Sequence, residues 1–237
     1  MKIVKPKVVL LLEHSREEIL QKIEAAGRTC YKSEGRATPE SAAKFVEGLV
    51  ARGHLSVLEH VSLTVRLVCD RGISHELVRH RIASYSQEST RYCNYGKADE
   101  ISVILPGDVP EDYTDPTFTW WRDSVQSSER SYLALLKLGK SPQVARSVLP
   151  TCLKTEVVMT ANLREWRLIM EQRTVDAAHP DMCRLMRPLL RELRRSLPEV
   201  FLTGTYFGNC TPMQSEASLD VIFAQRLSDI MKRGELA

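Results

Sequence analysis

Strong charge of either sign is absent from this chain: 33 lysines and arginines face 30 aspartates and glutamates, a formal net charge of +3. So mild an excess excludes a general attraction to nucleic acid or to a membrane surface. Paired cysteines are absent as well. Cys30, Cys69, Cys93, Cys152, Cys183 and Cys210 are scattered with no Cys-x-x-Cys spacing. In a chain of 237 residues that excludes a disulfide scaffold and points to reduced thiols in a cytoplasmic protein. No apolar run approaches the roughly 20 residues needed to span a bilayer. The run Val8–Leu12 is too short for the apolar region of a signal peptide, is followed at once by Glu13, and reads as a buried first strand. Internal repeats and low-complexity linkers are missing, so residues 1–237 read as a single domain of mixed α and β structure.

What is present is ordinary in bulk and unusual in one place. Apolar residues make up 43% and charged residues 27%, the proportions of a globular domain large enough to bury a core. The basic residues divide into 22 arginines and 11 lysines, a bias toward fixed, bidentate recognition of oxygen anions. Residues 14–27 predict a helix, with Ser15 as N-cap and Gly27 as its stop. A second helix is expected from a cap at Thr38 and Pro39 to Gly53. His54–His60 reads as a strand entry, and Val61–Val68 alternates apolar and polar residues as a half-buried strand does. Helices are also expected over 72–82, 118–138, 143–149 and 163–172 and from His179 onward, with strands at 99–105 and 156–161. The helix after His179 carries Arg184, Arg187, Arg191, Arg194 and Arg195 opposite its apolar side, a face that reads as solvated or subunit-facing. Leu219–Met231 forms a last amphipathic segment.

The unusual stretch is Arg79-His80-Arg81-Ile82-Ala83-Ser84-Tyr85-Ser86-Gln87-Glu88-Ser89-Thr90-Arg91-Tyr92. Three guanidiniums, several hydroxyls and an amide beside a helix end make a pocket wall suited to phosphate and a polar heterocycle. A solvated basic face would account for Arg-His-Arg alone, but not for the hydroxyls and amide that follow. His75 and His80 suggest a zinc-protease helix but stand five residues apart, about 140° round a helix, so no metal is expected.

Arg79-His80-Arg81, seven residues, then Ser89 resembles the signature of the flavin-dependent thymidylate synthases, and the match extends through Ser84, Gln87 and Arg91-Tyr92. Four other segments are similar to that family in the right order: Gly53–His60, Val144–Pro150, Thr160–Arg164 and Glu171–Arg173. The resemblance spans about Val8 to Glu199. It implies a central sheet flanked by long helices, and a homotetramer with active sites where subunits meet. The implied activity is conversion of dUMP to dTMP, with 5,10-methylenetetrahydrofolate as carbon donor and NADPH-reduced FAD as hydride donor. No nucleic-acid or membrane partner is implied.

Residue by residue, the resemblance assigns His54, Ser56, Arg79, His80, Arg81, Gln87, Asn162, Arg164 and the position of Leu168 to FAD. It assigns Glu76, Arg79, Gln87, Glu88, Ser89, Thr90, Arg91, Arg146 and Arg173 to dUMP. Arg173 is the residue expected to carry the chemistry, as a fixed cation beside the uracil ring. Ser89 is assigned to binding, because a serine nucleophile needs a base that the motif does not supply. Two positions depart from the family pattern: Leu168 where Asn or His is frequent, and Glu76 where Gln is common. Two other readings stand beside this one. One is a nucleotide- or RNA-binding protein using the same arginines and tyrosines without redox chemistry. The other is a relative that keeps FAD but has lost the synthase reaction.

Overall fold

The computed structural model describes residues 1–11, 14–202 and the strand 221–224. In chain order its elements are β1 (Lys2–Val4), β2 (Lys7–Leu11), α1 (Arg16–Tyr31), α2 (Ser41–Ala51), β3 (Ser62–Asp70), α3 (Arg71–Leu77), β4 (Ala83–Gln87) and β5 (Ser102–Ile104). They continue with α4 (Pro116–Lys137), α5 (Pro142–Ala145), β6 (Lys154–Asn162), α6 (Leu163–Arg173), α7 (Pro180–Ser196), α8 (Pro198–Phe201) and β7 (Val221–Ala224). One sheet has the order β4-β6-β3-β2-β7, with β2 and β7 parallel and Val8 opposite Val221; β1 and β5 form a separate parallel pair. The chain is therefore mixed α and β, as its patterning predicts. Of the segment Leu219–Met231, only β7 lies within the described residues.

The chain divides into two compact units. The first comprises Met1–Lys7, Leu67–Arg79 and Ser86–Val158. Its core joins Ile101, Val103, Val125, Tyr132, Ala145 and Leu153, all buried. Asp115 caps α4 by accepting from the Thr117 amide at 2.7 Å, with Pro116 at the first helical position, where its missing N–H costs nothing.

The second unit comprises Val8–Arg66, His80–Tyr85 and Met159–Ala237. Here α1 packs on α2, and α6 packs on α7. Trp166 is fully buried, and its indole N–H donates to the Leu63 carbonyl at 3.0 Å. Ser15 caps α1 in a reciprocal box with Glu18.

Several expectations are corrected. Helix α1 does not stop at Gly27 but runs on to Tyr31. A Cβ on Gly27 would stand 2.8 Å from Leu49 Cδ1 and 2.9 Å from Phe45 Cε1, so this glycine admits α2 rather than ending α1. Helix α2 begins at Ser41, not at a Thr38 cap. The Ser41 hydroxyl accepts from the Thr38 amide at 2.9 Å and donates to Glu24 at 2.6 Å, which draws the helix start against α1. Leu55–His60 is a 3-10 helix rather than a strand entry, launched by Gly53 at φ +75°. Helix α3 ends at Leu77, and Val78 is 40% exposed, because the next residues leave to form β4. Arg187 is buried, donating to the Thr174 carbonyl at 2.9 Å and pairing with Asp176, so the arginines of α7 do not form one basic face.

Candidate functional site

In the first unit, Asp70 caps α3 by accepting from the Ile73 amide at 2.8 Å, and α3 then carries Arg71 and His75 to the wall of a cavity of about 450 Å³. Thr90, Gln143, Arg146 and Ser147 line the same cavity. Arg146 Nη1 donates to Thr90 Oγ1 at 3.1 Å, across 56 residues of sequence. Arg91 is exposed, donates to Gln143 Oε1 at 3.4 Å, and lies 5.5 Å from the Tyr92 ring centre. Two guanidiniums, an imidazole and two hydroxyls on one wall are suited to a doubly charged oxyanion.

The residues beside Thr90 divide their work. Ser89 is half-buried, and its Oγ accepts from the Arg91 amide at 3.3 Å; among the described residues no basic side chain bonds to it. Glu88, placed by the resemblance in the dUMP cradle, spends its carboxylate inside the protein. It accepts from Tyr95 at 2.8 Å and from Lys154 at 3.1 Å, and Lys154 also pairs with Glu156. Burial, then the Glu88 charge, push the Tyr95 phenol up, and its carboxylate partners hold the Lys154 ammonium charged against burial. Gln87 donates its amide to Ser74 at 2.9 Å and to Thr155 at 3.2 Å, which ties the end of β4 to α3 and β6. Glu76 is half-buried and Arg79 exposed; neither lines this cavity.

In the second unit, His80 is 5% exposed and sits between two residues of α6. Its Nε2 accepts from Arg173 Nε at 3.0 Å, and its Nδ1 stands 3.5 Å from Glu165 Oε1. Burial, reinforced by the Arg173 charge, lowers the His80 pKa from 6.5 to about 4; burial alone raises that of Glu165. The Tyr85 hydroxyl donates to the His80 carbonyl at 2.7 Å and closes this turn. Asn162 caps α6 by accepting from the Glu165 amide at 2.8 Å.

Two cavities in this unit share Leu55 and Arg164. One, of about 290 Å³, is lined by His54, Ser56 and Tyr31, with the Tyr31 hydroxyl 3.2 Å from His54 Nδ1. The other, of about 650 Å³, is lined by Asn162, Glu165, Leu168 and Ile82. Arg164 donates to Glu59 at 2.6 Å. Apolar side chains such as Leu55, Ile82 and Leu168 stand in the two cavities beside charged ones, Glu59, Arg164, Glu165, Arg167 and Glu171, so the walls are mixed. Five positions assigned to FAD by resemblance thus fall on these two cavities, whereas Arg79 and Arg81 are exposed and line neither. Sequence pattern did not single out Arg71, and His75 entered only as a zinc candidate, although both line the cavity of Arg146 and Thr90. Their shared helix start beside Arg79 was the available signal.

Fold and cavities define a mixed α/β protein with an arginine-walled anion pocket. The family model described as thymidylate synthase complementing protein matches residues 10–199. Flavin-dependent thymidylate synthases are similar along the chain: that of Mycobacteroides abscessus is 34% identical over 195 residues, covering 76% of this chain and 77% of its own. That of Mycobacterium tuberculosis is 33% identical over 194 residues, with the same coverage. A crystal structure of the UMP/dUMP methylase PolB from Streptomyces cacaoi, bound with 5-Br dUMP, has the same fold. Its TM-score is 0.71 at 22% identity, covering 90% of this chain and all of that one. The chain belongs to the family of flavin-dependent thymidylate synthases.

Proposed function

We propose that this protein methylates dUMP to dTMP, with 5,10-methylenetetrahydrofolate giving the carbon and NADPH the reducing equivalents through FAD. The observation that carries the reading is the Arg146–Thr90 hydrogen bond at 3.1 Å on the wall of one cavity. It joins two of the family-like segments that lie far apart in sequence, and it does so where a phosphate would need both. Arg146, Thr90 and Arg91 hold the dUMP phosphate, with Ser89 beside them, and Glu76, Arg79 and Gln87 complete the nucleotide's surroundings. His54, Ser56, Asn162, Arg164 and Leu168 line the flavin pocket, and Arg79 and Arg81 answer its anionic or carbonyl oxygens. Bound and reduced, FAD supplies the hydride that completes the methyl group.

Arg173 acts on the uracil ring. A guanidinium at the carbonyl edge stabilises negative charge where the reaction develops it, and it does so without giving up a proton. Leu168 replaces a polar contact with an apolar one; the site keeps its flavin through the remaining donors. Ser89 binds rather than attacks. The working assembly is a homotetramer of one-domain chains.

The test is the visible spectrum of the purified protein before and after dUMP, followed by assay for dTMP. Flavin bands that shift with dUMP, and dTMP that requires both the folate and NADPH, are the expected results. A protein that stays colourless after incubation with FAD and binds oligonucleotides instead would overturn the reading. A yellow protein that oxidises NADPH without forming dTMP would limit it to flavin binding.

A further inference from the structure

The arrangement around His80 does something that a flavin contact would not. His80 is buried, and its Nε2 takes the Nε–H of Arg173 at 3.0 Å. An imidazole nitrogen accepts only when the ring is neutral and the proton sits on the other nitrogen. The Glu165 carboxylate, 3.5 Å from Nδ1, favours that tautomer. Glu165 is itself set in the first turn of α6 by the Asn162 cap, while Arg173 is the last residue of the same helix. One buried ring therefore links the first and last turns of α6, which are roughly 12 Å apart along the axis at 1.5 Å per residue.

An arginine at a helix end is a long side chain with several rotamers, and holding it in one costs side-chain entropy. A bond at Nε fixes the plane of the guanidinium, not merely the position of its charge. We infer that His80 is a positioning residue for Arg173, held as a neutral acceptor by Glu165, so that the guanidinium plane is set before substrate arrives. The inference rests on the assignment of Arg173 to the reacting base.

The test compares His80→Ala, His80→Gln, Arg173→Ala and the His80→Ala/Arg173→Ala double variant as FAD-loaded enzymes. Flavin content, the dUMP-induced spectral shift, kcat and KM are measured for each, with far-UV circular dichroism as a check on folding. His80→Ala is expected to keep its flavin and the dUMP shift while kcat falls about 10- to 100-fold, the cost of a misplaced catalytic group. KM for dUMP should stay within a few-fold. His80→Gln, whose amide oxygen can accept from Arg173, should recover most of the loss. The double variant should be no worse than Arg173→Ala alone, as for residues that act as a unit. If His80→Ala loses flavin but turns over normally per flavin bound, or if His80→Gln is as impaired as His80→Ala, the inference fails. If Arg173→Ala turns over normally, the underlying assignment fails and takes the inference with it. An inactive Arg173→Ala beside a fully active His80→Ala overturns the inference alone. Should His80→Ala not fold, His80→Leu, which fills the space but cannot accept from Arg173, takes its place with the same expected and overturning outcomes.

Discussion

Two side chains, Arg173 and His80, show how a sequence motif and its environment share a task. Arg173→Ala is expected to leave FAD bound and to cut dTMP formation by at least about 100-fold, the scale on which removing one preorganised charge stabiliser acts. The flavin absorbance and a dTMP assay check it. His80 also makes a prediction about pH. Its folded pKa is about 4 against 6.5 for the free side chain, so as pH falls the unfolded chain takes up the proton first. Stability that is fully present above about pH 6.5 is therefore lost progressively toward pH 4. The groups facing the ring are Arg173 and Glu165 from α6, with the Tyr85 hydroxyl on the His80 carbonyl. Urea midpoints measured across that window should slope more steeply for the native protein than for His80→Gln. Equal slopes would mean that another group carries the dependence.

Among the elements, β4 and the residues after it depend on contacts that periodicity cannot reveal. The alternation of β3 was legible, because a half-buried strand writes its burial into every second residue. That β6 is a strand was legible too, but not its in-out pattern, since Val157, Val158 and Met159 run together as apolar residues while only every second position is buried. The Glu88–Lys154 pair was not, since its members are 66 residues apart and only strand pairing joins them. Lys154→Met should strand the Glu88 carboxylate with one donor fewer, cost on the order of 1–3 kcal/mol, and raise KM for dUMP by loosening Ser89 and Thr90. Denaturant unfolding and steady-state kinetics measure the two parts, and a wild-type KM would show that the pair serves stability only. Gly27 was misread for a related reason. A glycine near a plausible helix end looks like a stop, whereas its lack of a Cβ here answers to Phe45 and Leu49 on another helix. Gly27→Val should cost about 1–3 kcal/mol by overpacking that contact, seen as a lower urea midpoint. An unchanged midpoint would mean that the α1–α2 packing has slack.

For the whole molecule, the legible part was the class of fold; of the assigned positions, Thr90 and Arg146 line one cavity and His54, Ser56, Asn162, Arg164 and Leu168 line the other two, while Arg71 and His75 on the first wall and the inward use of Glu88 needed three dimensions. No helix of the described residues is long and apolar enough to cross a membrane. The motif stretch leaves Ile82 67% and Tyr92 78% exposed among its arginines, apolar surface of the kind that subunit contacts cover. Sedimentation equilibrium is expected to give about four times the 26.9 kDa chain mass, and a monomer at micromolar concentration would contradict the tetramer. The placement of the tryptophans has a practical consequence. Trp120 is 79% exposed and Trp121 sits beside it on α4 in one unit, while Trp166 is sealed on α6 in the other, on the same helix as Arg173. Emission from the chain therefore has a red, iodide-quenchable part and a blue, shielded part. With Trp120 and Trp121 changed to phenylalanine, the remaining fluorescence becomes a single optical reporter on the helix that ends at Arg173.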